Sequence, residues 1–164
     1  MMLSRYKLGD RRTLKRGAAY AIPISDGSFV PAVLLATNVL FGGCALALID
    51  RQLVSIEECS EITIDSETDI LAFVLTHPTY LKDGSWPFLT GDVTIASGLR
   101  KELEPDRMSG LVYPVSVVKG YLEACMGLRD WDAPLTDRWK PQDLLPSGRR
   151  RPPRSRRRLG TVPE

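Results

Sequence analysis

Residues 18–50 read AAYAIPISDGSFVPAVLLATNVLFGGCALALID, and this stretch decides the fold. Ala18 to Ile24 reads as a strand, Ser25-Asp26-Gly27 as a turn and Ser28 to Thr37 as the returning strand. The turn chemistry suits a hairpin, because Asp accepts local main-chain hydrogen bonds and Gly tolerates positive φ. Asn38 to Gly43 marks the next reversal and Cys44 to Asp50 the next strand. Three strands this close in sequence most simply form an antiparallel meander. Val33 to Leu35 and Leu46 to Ile49 are apolar on both faces, which predicts a sheet that is covered or curled upon itself. Phe29 to Ile49 has the length of a membrane span, about 20 residues. Pro31, Thr37, Asn38 and Gly42-Gly43 cut it into pieces of strand length, so we read it as sheet.

Outward from this stretch the pattern stays mostly β. Residues 57–69 hold six acids (Glu57, Glu58, Glu61, Asp65, Glu67 and Asp69) and no base, too polar for a core, and read as a solvated acidic connection. Ile70 to Thr76 is an apolar run of buried-strand type, ended by His77-Pro78. Asp83-Gly84-Ser85 reads as a turn and Leu111 to Val115 as a short strand. Val117, Val118, Tyr121, Leu122 and Cys125 then form one helical stripe, predicting a helix from Ser116 to Met126 with Ser116 as N-cap and Gly127 as the residue past its end. Gly120 weakens that helix, while Trp131 and Trp139 suggest a segment wrapped over the body. The expected fold is mostly β (α+β), a curled antiparallel sheet or small SH3-like barrel with one helix packed on it.

The formal net charge of +2 conceals a segregation. Residues 1–16 carry six bases against Asp10, and residues 149–164 carry seven arginines against Glu164. Residues 17–148 hold the remaining nine bases and eighteen acids, a net charge of −9. Such a body favours basic partners and repels nucleic-acid phosphates. The organisation follows: a basic lead-in at 1–16, a globular domain at 17–146, and an Arg/Pro-rich tail at 147–164 whose composition predicts disorder. In the tail, Arg149, Arg150, Arg151, Arg154, Arg156, Arg157 and Arg158 are candidates for weak, nonspecific polyanion binding by counterion release. No aromatics interleave them for base stacking. The tail could also fold back on the acidic body and compete for the same surface.

Several chemistries lack their residues. Cys44, Cys59 and Cys125 are odd in number and without C-x-x-C spacing, so they read as buried small hydrophobes in a reducing cytoplasm. His77 is the single histidine and reads as structural or surface. The phosphate-loop, dinucleotide, metalloprotease and nucleophile-elbow signatures are all missing from the chain. We therefore expect no catalytic residues, no metal, no cofactor and no membrane segment.

Two stretches, KRGAAYAIPISDGSFVPA at 15–32 and YLKDGSWPFLTGDVTI at 80–95, resemble the immunity protein 26 family of bacterial polymorphic toxin systems. Gly17, Pro23, Asp26, Gly27, Trp86 and Gly91 carry the resemblance, with Ala21 and Ile22 between them; Ala18 stands where the family usually has an acid. The resemblance implies a small, mostly β, non-enzymatic cytoplasmic protein that neutralises a cognate toxin by stoichiometric binding. An acidic body suits capture of a basic nuclease. The motif residues themselves read as architecture, which leaves the acidic segments as toxin-binding candidates: Glu57, Glu58, Glu61, Asp65, Glu67 and Asp69, with Glu102, Glu104 and Asp106. The alternative is a β-barrel nucleic-acid or ribonucleoprotein adaptor working through its basic termini.

Overall fold

The computed structural model describes residues 14–39, 42–99, 111–146 and 148–153. Its first hairpin pairs β1 (Ala19–Pro23) with β2 (Phe29–Val39) in antiparallel register, Ala19 opposite Val33 and Pro23 opposite Phe29. Gly27 takes φ +83° at the corner, a conformation that costs glycine little and an L side chain more. β3 (Gly43–Ile49) returns along β2, and the run from Cys44 to Ile49 is buried throughout.

The connection after β3 departs from the expectation of a solvated loop. Ile62 and Ile64 are buried in β4 (Ile62–Ile64), with Thr63 between them facing water. The acids outnumber the isoleucines along this segment, yet alternate residues of a strand point to opposite sides, so one side can be apolar inside a charged sequence. β5 (Ile70–Thr76) then pairs antiparallel with β3. A five-residue helix, α1 (Thr79–Asp83), precedes the turn at Gly84. β6 (Phe88–Thr90) pairs with β1, and β7 (Val93–Ile95) lies parallel to β4. β8 (Val112–Tyr113) is shorter than the expected strand and parallel to β5. α2 (Val115–Cys125) and the four-residue α3 (Pro141–Leu144) complete the described elements.

The fold is α+β and mostly strands: a six-stranded mixed sheet in the order β6-β1-β2-β3-β5-β8, with β4 and β7 as a second, two-stranded sheet. Among the described residues no pairing joins β6 to β8 at the two ends of the six-stranded sheet. Both of its faces are covered. Tyr20, Ile22, Val30, Leu34, Leu46, Leu48 and Val74 meet Val117, Val118, Tyr121 and Leu122 of α2, together with Trp131 and Leu144 of the following wrap. Ala19, Ala21, Val33, Ala45, Ala47 and Ile49 meet Ile62 and Ile64 of β4 and Leu89 and Leu99.

The helical stripe read from sequence is the buried face of α2, but its N-cap is Pro114, whose carbonyl accepts the Val117 and Val118 amides; Ser116 is exposed inside the first turn. Gly127 does follow the helix at φ +76°. Gly120 is a close-approach position, since a Cβ there would stand 3.0 Å from both the Arg129 guanidinium and Leu135. Trp131 is buried, and Trp139 stacks edge-on against Tyr113 with ring centroids 4.9 Å apart. The Tyr121 hydroxyl donates to the Leu71 carbonyl at 2.6 Å, tying α2 to β5, and burial raises its pKa well above that of an ordinary tyrosine. Replacing Tyr121 with Phe removes the side-chain hydrogen bond to that carbonyl in the core. We expect a loss of about 1–2 kcal/mol in urea-denaturation stability with the fold retained.

Candidate functional site

The acidic connection is held firmly by its apolar residues. The Ile62 amide donates to the Asp92 carbonyl and the Ala96 amide to the Ile64 carbonyl, both at 2.9 Å, which aligns β4 with β7. Cys59 is buried beneath the segment, where the Arg51 guanidinium reaches its Sγ at 3.7 Å and the Glu61 carbonyl at 3.2 Å. Thr90 adds a hydrogen bond from its hydroxyl to the Ser60 carbonyl at 2.7 Å. Glu57, Glu58, Glu61, Asp65 and Glu67 project from this support into solvent. A hydrogen bond to its own main-chain amide, with a second from the Ser55 hydroxyl, holds the Glu57 carboxyl below the usual carboxylate range. Among the described residues, Arg51 and Arg149 reach the segment and bond main-chain oxygens there rather than carboxylates.

Asp69 differs from its neighbours. Half-buried, it accepts the Asp65 amide at 2.8 Å and the Ser66 amide at 3.1 Å, capping the 3-10 turn Glu67–Asp69. Its carboxylate shapes the connection from within. Glu102, Glu104 and Asp106 lie outside the described residues, as do Arg154, Arg156, Arg157 and Arg158.

Beside the acidic connection, the hairpin corner and the end of β3 enclose an open cleft of about 560 Å³ lined by Asp26, Gly27, Ser28, Asp50, Arg51, Gln52 and Val54. Phe29 and Leu53 exchange amide-to-carbonyl bonds of 2.8 Å in both directions, which brings Gln52 against the corner. Asp26 accepts from the Ser28 hydroxyl at 2.5 Å, the Ser28 amide at 2.9 Å and the Gln52 amide group at 3.0 Å. The Ser28 hydroxyl bond, followed by the Ser28 amide, holds its carboxyl below the ordinary value of 3.8. Val54 stands at the rim, 78% exposed. The turn signal at Asp26-Gly27 was visible in sequence; the partnership with Gln52, 26 residues away, was not.

The other residues of the family resemblance also have geometric work. The Gly17 amide, in a residue at φ +84°, donates to the Leu34 carbonyl at 2.7 Å. Pro23 closes β1 opposite Phe29. Trp86 is 2% exposed and meets Tyr80 edge-on at 5.8 Å. Gly91 follows β6 and leaves room for the Lys15 ammonium, which would lie 3.2 Å from a Cβ there. The two motif stretches are neighbours in space, because β1 pairs with β6, Tyr20 opposite Phe88, and the Ala21 amide donates to the Pro87 carbonyl at 2.8 Å.

The remaining ionisable groups are scattered. Among the described residues no group of three or more His, Cys, Asp or Glu side chains could hold a metal ion. His77 is exposed, 3.3 Å from the Thr79 hydroxyl. Burial pushes the Cys44 thiol up to about 11 and the Cys125 thiol up to about 12. Among the described residues no helix is long and apolar enough to cross a membrane.

Two outcomes follow from these geometries. A carboxyl held below 3.8 stabilises the fold above that pH and loses its contribution as the pH falls through the lowered value. Asp26→Asn should therefore be less stable than wild type at pH 7, with the gap closing below pH 3.8, as read from urea midpoints across the acid range. Cys44 and Cys125 should resist a thiol reagent at pH 8 in the native protein and react once the chain is denatured, as followed by mass spectrometry of the labelled peptides.

No family model, no curated protein and no solved structure matches this chain, so its functional reading rests on its own residues and geometry.

Proposed function

We propose that this protein is an immunity protein that binds and neutralises a cognate bacterial toxin in the cytoplasm, by stoichiometric contact through its acidic surface and without catalysis. The observation that carries this reading is the set of exposed carboxylates at Glu57, Glu58, Glu61, Asp65 and Glu67, borne on a connection that Ile62 and Ile64 anchor to the sheet. Charges on a fixed support meet a basic partner without first being ordered, so their attraction goes into capture. The adjacency of β1 and β6 supports the family resemblance, since the two stretches that carry it form one structural unit. A nuclease, whose own site must be basic to hold phosphate, is the toxin class this surface suits.

The test is neutralisation. Co-expression with the toxin encoded beside it should protect cells, and the two purified proteins should form a one-to-one complex. Replacing Glu57, Glu58, Glu61 and Glu67 with Gln and Asp65 with Asn should slow association at least about tenfold and flatten its dependence on salt. Unprotected cells together with no complex on mixing would remove the reading.

A further inference from the structure

Arg149 is the first of the seven arginines in the last sixteen residues, and unlike Arg150 and Arg151 it is half-buried. Its guanidinium donates through Nη1 to the Ile70 carbonyl at 3.4 Å and through Nη2 to the Glu67 carbonyl. Those oxygens flank the 3-10 turn Glu67–Asp69, and the Glu67 oxygen also accepts the Ile70 amide. The end of β3 adjoins them, since the Asp50 amide donates to the Asp69 carbonyl at 2.7 Å. Asp50 and Arg149 act in opposite senses on the Tyr121 hydroxyl, the carboxylate raising and the guanidinium lowering its pKa. A planar guanidinium can reach two such acceptors at once, whereas an ammonium acts as a point charge.

We infer that the surface made by the 67–69 turn and the end of β3 is an arginine-binding surface whose resident occupant, in cis, is the chain's own arginine-rich C-terminal segment, anchored by Arg149. Three features argue for this occupant. One guanidinium, that of Arg149, is already seated there, and the described residues end four positions later. Asp26, Asp50, Asp65 and Glu67, against the one base Arg51 in the cleft lining, supply the opposite charge at the same end of the molecule, on the hairpin corner, just past β3 and along the 65–69 segment. From Arg149 to Arg158 an extended chain reaches about 30 Å, enough to pass the cleft. Tethering makes this encounter intramolecular, with an effective concentration in the millimolar range. The inference joins the toxin-binding reading in one respect: a basic partner approaching this end must displace the segment.

The test uses the full-length chain and dye-labelled hexa-arginine as the probe. Arg149→Ala should bind hexa-arginine at least about fivefold more tightly than wild type, the change expected for one vacated charge-assisted contact, with Arg149→Lys in between. The Ile70 amide should exchange its hydrogen several-fold faster in Arg149→Ala than in wild type at equal thermal midpoint. Equal or weaker probe binding by Arg149→Ala, with unchanged exchange at Ile70, overturns the inference. Protection of Ile70 that grows with protein concentration also overturns it, by making a second copy the occupant. Because the probe is not a toxin, either proposal can fail while the other stands.

Discussion

β3 has water on neither face and a hydrogen-bonded neighbour on each side, and the rest of the molecule is arranged to satisfy that condition. Its even positions, Leu46 and Leu48, meet α2; its odd positions, Ala45 and Ala47, meet the β4–β7 layer. At the middle of the strand the two leucines face the helix and the two alanines the second sheet, while Cys44 and Ile49 at its ends reverse that contrast. Each buried leucine contributes about 1.5–3 kcal/mol, so exposing either face would remove a large part of a domain's net stability. The acidic connection is one of the two covers. Its position across the sheet is therefore a requirement of the core, and the carboxylates on its outer side inherit that fixed position.

Legibility in the sequence followed the strength of the local period. The hairpin, β3, β5 and the stripe of α2 each carry apolar spacing that only one element satisfies, and all stand where that spacing places them. β4 was hidden because two isoleucines among six acids are too short a signal against a charged background. Pro114 displaced Ser116 as N-cap because the helix begins as soon as the chain leaves β8, two residues before the serine could serve. The parallel pairing of β8 with β5, and of β7 with β4, depends on long connections whose course no local pattern encodes. At the candidate site, the acids were visible by composition. Separating Asp69, which caps a turn, from its exposed neighbours required the main-chain geometry.

The same geometry sorts the arginines. Arg51 and Arg149 both place their guanidinium groups on main-chain oxygens of the 61–70 segment, so they reinforce the connection without neutralising its carboxylates. Positive charge thus reaches this part of the molecule through main-chain contacts, and the side chains of Glu57, Glu58, Glu61, Asp65 and Glu67 remain exposed. Cys59, next to Arg51, belongs to the same packing arrangement, with its Sγ 3.3 Å from the Glu61 carbonyl. Supports of this kind explain how a stretch with so many acids keeps one shape.

The outermost strands of the main sheet are its shortest: β6 has three residues and β8 two. A sheet whose centre is apolar on both faces would be a hazard if its borders offered long rows of unpaired amides and carbonyls to another chain. Here β2 and β3 are interior and the border strands β6 and β8 are brief, although β8 pairs with only Leu75 and Thr76 of β5. Border strands this short work against the templating of fibrils from the sheet's own centre.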